Sequence, residues 1–95
     1  MAAYVVFIRN SVCDPAGMKT YAKMAGEARG DHRFDALAYY NPCETPEGEA
    51  AEGVVLLKFD DIEAARAWYH SDAYQAAAKV RQGSSDYRVI ITEGL

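Results

Sequence analysis

Positive charge is in short supply in this chain. Ten Lys and Arg stand against fourteen Asp and Glu, a formal charge of −4, and nothing gathers the basic residues into a stripe. Nucleic acid and anionic membrane surfaces both call for such clusters, so neither is an expected partner. Long apolar runs are missing too, and none approaches the ~20 residues that span a bilayer. The opening Met-Ala-Ala-Tyr-Val-Val-Phe-Ile-Arg has no charged n-region and no cleavage site, so a signal peptide is not expected. Two cysteines, Cys13 and Cys43, are too few for a disulfide framework and read as reduced thiols in a cytoplasmic protein, the alternative being one bridge between them. The two histidines and two cysteines show no paired ligand spacing, so no metal site is expected. No phosphate loop, dinucleotide fingerprint or nucleophile elbow announces a cofactor either.

What remains is a globular composition, 51% hydrophobic and 25% charged over 95 residues, enough for one domain. Tyr4-Val-Val-Phe-Ile-Arg9 is short, β-branched and aromatic, and predicts a strand that is apolar on both faces. Asp14-Pro15 starts a helix, the Asp as N-cap and the Pro at the first helical position. Met18, Tyr21, Ala22 and Ala25 form its inward stripe, and Gly30 closes it. Arg33 to Tyr40 alternates as a second strand. Phe34, Ala36, Ala38 and Tyr40 share one face of it; Asp35, Leu37 and Tyr39 share the other. Residues 41–53, with two prolines, two glycines and four glutamates, form an exposed loop, either a flap over a site or plain solvent structure.

Val54 to Phe59 is the third strand. Asp60 caps the next helix with Glu63 reaching back to it, and Ile62, Ala65 and Tyr69 face inward. Ser71 interrupts and caps a further helix. Gly83 ends that helix ahead of a polar Ser84-Ser-Asp turn, and Tyr87 to Glu93 is the last strand. The order β-α-β-β-α-β predicts an α+β, ferredoxin-like domain: a four-stranded antiparallel sheet with helices on one face. Strands one, three and four are apolar on both faces, yet the helices cover only one. A homodimer packed through the open sheet face is therefore expected.

The run Phe59-Asp-Asp-Ile-Glu-Ala-Ala-Arg-Ala-Trp-Tyr-His-Ser-Asp-Ala-Tyr-Gln-Ala-Ala, then Arg81 and Ile90-Ile-Thr-Glu-Gly94, resembles the domain-of-unknown-function 1330 family of the dimeric α/β-barrel superfamily. Asp14-Pro15 with Tyr21, and Gly30 through Phe34, carry the likeness into the N-terminal half. The chain departs from the family at Tyr39-Tyr40-Asn41-Pro42 and the acidic loop, where members tend to have a shorter, glycine-rich turn. The resemblance implies a dimeric α/β barrel. That superfamily includes cofactor-free monooxygenases, muconolactone-type isomerases, polyketide cyclases and haem enzymes, so it does not select a reaction.

Several side chains are candidates for chemistry. Tyr74, Ala77, Ala78 and Arg81 lie at i, i+3, i+4 and i+7, which sets a phenol and a guanidinium over a floor of alanines. Arg81 there would hold a carboxylate or enolate with its two-pronged donor; alternatively it pairs with a carboxylate of a second subunit. Tyr69 is a candidate oxyanion donor and Ser71 a candidate substrate contact beside its capping role. Trp68 and Tyr39 would wall the pocket, in a chain with seven tyrosines that suits a planar ligand. His32, at a loop–strand junction, is the candidate proton carrier, with His70 the weaker choice. The resulting expectation is a cofactor-independent enzyme moving a proton on a small aromatic or lactone-like carbonyl or carboxylate, of isomerase, lyase or cyclase type. A non-catalytic ligand-binding protein and a cofactor-free monooxygenase are the alternatives. Proton transfer requires a titratable group such as His32 within about 3–4 Å of Arg81 or Tyr74.

Overall fold

Alternation in the first strand decides the architecture. In the computed structural model, which describes residues 1–95, β1 (Ala3–Val12) buries Ala3, Val5 and Phe7 and leaves Tyr4, Val6 and Ile8 half-buried on its other side. The chain continues through α1 (Pro15–Ala28), β2 (Asp35–Tyr39), β3 (Gly53–Phe59), α2 (Ile62–Tyr69), α3 (Asp72–Ser84) and β4 (Ser85–Glu93). The sheet order is β2-β3-β1-β4, antiparallel throughout. Register sets Val5 opposite Leu57 and Ile91, and Phe7 opposite Val55 and Val89, so one continuous apolar face meets the helices. Phe59, Trp68 and Tyr74 complete that core. Tyr4, Val6, Ile8, Val54 and Leu56 on the opposite face remain half-buried with nothing of this chain over them. No helix is long and apolar enough to cross a membrane.

Capping explains where the helices start. Asp14 accepts from the Gly17 amide (3.1 Å) with Pro15 next in line, as expected. The second cap falls one residue later than predicted: Asp61, not Asp60, accepts from the Ala64 amide at 2.8 Å. Glu63 does not reach back to the cap. It pairs with Arg66 one turn on, at 3.1 Å, where an i,i+3 partner is available. Ser71 does cap α3, accepting from the Tyr74 amide. The expected Ser84-Ser-Asp turn is absent, because Ser84 is the last helical residue and β4 begins at once. Its carbonyl accepts from the Cys13 and Asp14 amides at 2.9 and 3.0 Å, which ties the helix end to the β1–α1 junction.

The second strand departs from simple alternation. A bulge between Ala36 and Ala38 shifts the register, so Ala36 faces Leu57 and Tyr39 faces Val55 on the helix side, while Ala38 faces Leu56 on the open side. An inserted residue reverses every side chain beyond it. Tyr39 therefore joins Ala36, not Asp35 and Leu37 as the even alternation predicted. The following loop is exposed but anchored: Glu52 donates its amide to the Arg9 carbonyl (2.8 Å) and the Tyr40 amide donates to Val54 (2.9 Å).

Candidate functional site

α1 packs along α3 and makes little contact with the sheet. That single fact positions the site. The stripe of Tyr74, Ala77, Ala78 and Arg81 does point inward, but its alanines do not form an open floor. They receive α1, whose Gly17 lies so close to Ser84 that a Cβ there would come within 2.0 Å of Oγ. The free space lies instead on the other side of α1, between it and the sheet.

Arg81 is 3% exposed and Tyr74 is fully buried. The Arg81 guanidinium carbon stands 5.2 Å from the Tyr87 ring centre and 5.7 Å from those of Phe7 and Tyr21. No carboxylate pairs with it; the ion pairs of the chain are Arg9–Glu52 and Arg66–Glu63. Its Nε and Nη2 are buried without any hydrogen-bond partner. Burial disfavours a cation without a counter-charge, while the Tyr74 and Tyr21 phenols and the surrounding aromatic faces favour it.

Tyr21 from α1 and Tyr87 from β4 face this cation, each with a second tyrosine hydrogen-bonded to it. The Tyr21 and Tyr74 hydroxyls are 2.7 Å apart, and those of Tyr40 and Tyr87 are hydrogen-bonded to each other. Within each pair one hydroxyl donates to the other, which leaves one proton per pair for another acceptor. Burial pushes the Tyr21 phenol far above its ordinary value, Tyr74 adds to the rise, and Arg81 opposes it without prevailing. Burial likewise raises Tyr74, against the Tyr21 hydrogen bond and Arg81. Tyr40 is raised by burial and then by its bond to Tyr87. These three phenols are hydrogen-bond donors near neutrality, not bases.

A pH dependence follows. A folded-state value raised above the ordinary 10.0 means the unfolded chain loses its protons first. The stability these groups contribute is whole below about pH 10 and falls as pH rises toward the folded values. Fully buried Tyr74 adds up to about 1.4 kcal/mol per pH unit to that fall, and half-buried Tyr21 and Tyr40 add less. Phenolate absorbance from these residues is expected to appear together with the loss of circular dichroism. Their smooth ionisation in a still-folded protein would contradict the assignment.

The cleft beside α1 holds about 260 Å³ and is lined by 13 residues, 11 of them hydrophobic. Phe7, Val55 and Leu57 contribute from the sheet, Ala22 and Ala25 from α1, and Trp68 from α2. Tyr21 belongs both to this apolar space and to the phenol–guanidinium cluster, so it brings the polar centre to the cleft. Tyr39, 61% exposed, reaches the cleft only because of the β2 bulge. Trp68 is 3% exposed and its indole N–H has no partner.

The other candidate residues sit elsewhere. Ser71 Oγ both accepts from the Tyr74 amide and donates to the Trp68 carbonyl (2.8 Å), so the helix break occupies it. The Tyr69 ring packs 5.4 Å from that of Tyr74 and does not line the cleft. His32 precedes β2, where its carbonyl accepts from Arg29; its side chain joins neither the cleft nor the phenols. His70 is the exposed C-cap of α2. Tyr21, Tyr40, Tyr87, Phe7 and Arg9 were missed as site residues. The high tyrosine count was the one signal in sequence for the three tyrosines, and it named no partners; Phe7 and Arg9 had none.

Tyr40 takes a left-handed backbone, φ 53°, uncommon for a bulky residue. Its ring fills the space over Gly53, where a Cβ would lie 2.7 Å from Tyr40 Cδ1. Gly53→Ala is therefore expected to dislodge the ring and cost about 1–3 kcal/mol in urea unfolding. In a Tyr40→Ala background the same change should cost much less. Equal costs in the two backgrounds would rule out the clash.

A four-stranded antiparallel sheet in this order, with helices on one face and a cleft between them, is a ferredoxin-like α+β domain. Within that class the chain belongs to the family of the domain of unknown function DUF1330, which matches residues 2–95. A protein of unknown function from Rhodopseudomonas palustris is 16% identical, with a TM-score of 0.67 over 99% of this chain and 82% of that one. SnoaB, a cofactor-independent oxygenase from Streptomyces nogalater, is 12% identical with a TM-score of 0.65, covering 99% and 93%. A dimeric ferredoxin-like protein of unknown function from Thermobifida fusca is 10% identical with a TM-score of 0.64, covering 99% and 92%. At such identities the likeness is one of fold. No curated protein matches the chain.

Proposed function

We propose that this chain is a small cofactor-independent enzyme that takes a planar aromatic or lactone-like carbonyl compound into the cleft and stabilises its enolate or phenolate. The observation that carries the reading is the buried Arg81 guanidinium, with two nitrogens unpartnered, beside Tyr21, whose hydroxyl pairs with that of Tyr74 and whose side chain also lines the largely apolar cleft. With Tyr74 as the donor of that pair, the Tyr21 proton is free for a ligand oxygen. A preorganised donor in a dry site typically contributes about 10²–10³ in rate. Arg81 supplies the counter-charge as negative charge develops.

Proton transfer by His32, in an isomerase, lyase or cyclase, has less geometric support, since His32 stands outside the cleft. The lining contains no carboxylate or imidazole. A substrate acidic enough to form its own carbanion, which then reacts directly with oxygen, suits such a site better. The shared fold of the cofactor-independent oxygenase SnoaB favours the same reading. The homodimer belongs to this proposal as well: the half-buried face of Tyr4, Val6, Ile8, Val54 and Leu56 suits a second copy, and relatives of this fold are described as dimeric. A partner on that face leaves Arg81, on the helix side, unpaired.

The test is calorimetric titration with 2-naphthoate and with neutral 2-naphthamide, alongside oxygen uptake with a panel of naphthols. The anion should bind about tenfold more tightly or better, and Tyr21→Phe and Arg81→Gln should each erase the preference. Equal binding of acid and amide would sink the site. Anion-selective binding with no turnover of any naphthol would make this a binding protein.

A further inference from the structure

A second recess of about 220 Å³ adjoins the cleft and shares Tyr21, Ala22, Tyr39 and Tyr40 with it. Its remaining lining is Arg9, Pro15, Met18 and Lys19. In a chain of net charge −4, this recess is lined by two cations and no acid. The Arg9 guanidinium lies 4.3 Å over the Tyr40 ring, and its Nε stands 2.7 Å from Glu52 Oε1. Glu52 comes from the long acidic loop, and its side chain is half exposed. A carboxylate thus already rests on Arg9 at the rim, held by a flexible and partly solvated side chain. Among the four residues common to both spaces, Tyr40 has a left-handed conformation of the kind that persists where the surroundings over-determine it and that clusters at functional sites.

We infer that the ligand of the cleft carries a second anionic group on a short arm, and that Arg9 and Lys19 hold this group in the adjoining recess after displacing Glu52. The inference rests on the proposed cleft reading and adds a substrate class to it: a planar carbonyl compound bearing a carboxylate or similar anion near the edge that meets Tyr21. Tyr21 lines both spaces, so the arm leaves from the same edge as the reacting oxygen. Glu52 then acts as a stand-in anion that keeps Arg9 neutralised until a ligand arrives.

The experiment compares 3-(carboxymethoxy)-2-naphthoate with 3-methoxy-2-naphthoate by calorimetry on the full chain, and reads the ratio of their affinities. The charged arm is expected to bind about tenfold more tightly. The ratio should fall toward one in Arg9→Gln and in the exposed-site variant Lys19→Gln. It should rise about threefold in Glu52→Gln, where the competing carboxylate is gone, an effect that a purely structural Arg9–Glu52 pair would not produce. A ratio near one in the unmodified protein, with methoxynaphthoate binding still dependent on Tyr21 and Arg81, overturns the arm and leaves the cleft reading standing. A ratio that survives the Arg9→Gln/Lys19→Gln double variant overturns it too. Failure of both compounds to bind removes the cleft reading itself.

Discussion

Arg81→Met is expected to make the free protein more stable while abolishing its preference for anions. The native side chain places a full charge at 3% exposure with Nε and Nη2 unpartnered. Methionine keeps an unbranched stem of similar reach and adds no polar atom. Replacing buried ionic groups by packed apolar ones is often stabilising by 1–4 kcal/mol. Lost cation–π contacts with Phe7, Tyr21 and Tyr87 take back roughly 1 kcal/mol, so the net gain should be about 1–3 kcal/mol in urea unfolding. The naphthoate-over-naphthamide preference should vanish in the same variant. A protein destabilised by this change, with anion binding intact, would show that Arg81 serves the fold rather than a ligand. Arg81→Ala is a poorer choice, because the cavity it leaves costs stability for an unrelated reason.

Trp68→Ala should produce the largest loss of stability in the chain. The indole stacks 4.2 Å from the Tyr74 ring and lies 5.3 to 6.2 Å from those of Phe34, Phe59 and Phe7. It joins α2 to α3, to the sheet and to the entry of β2. Truncating such a residue costs about 3–5 kcal/mol, a large share of the 5–15 kcal/mol that holds a typical domain. The melting temperature should fall by roughly 4–8 °C for each kcal/mol lost. Trp68→Phe keeps most of the buried area and should cost far less. A loss below about 1 kcal/mol in Trp68→Ala would mean the cleft wall is soft and the aromatic cluster is not the core.

Much of the fold was legible because local signals agreed with the pattern. Asp14-Pro15, the Ser71 break and the two-sided strands each point to one structure, and the structure follows them. The Asp60 misplacement shows the limit: two adjacent aspartates offer the same capping chemistry, and only the path out of β3 selects Asp61. The β2 bulge was illegible for a different reason. An inserted residue leaves the sequence alternating, and the slip exists only relative to β3. The candidate site was half legible. Tyr74 and Arg81 are a helical turn pattern and could be read directly. Tyr21 and Tyr87 reach them from α1 and β4, and Tyr40 joins through its bond to Tyr87, a convergence set by α1 lying along α3 and by the Tyr40 turn. His32 was named for its chemistry, and chemistry alone does not say which side of a strand entry a ring will take.

The bulge in β2 has a further effect at the border of the sheet. β2 is an outer strand, and a straight outer strand offers its unpaired amides and carbonyls as a template for another chain. The shift between Ala36 and Ala38 breaks that row after two paired residues and leaves Leu37 projecting, 53% exposed. Deleting Leu37 would restore a regular ladder with Tyr39 still opposite Val55. It would also create a longer, flatter rim open to strand-by-strand growth. The bulge at Leu37 thus guards the molecule against aggregation.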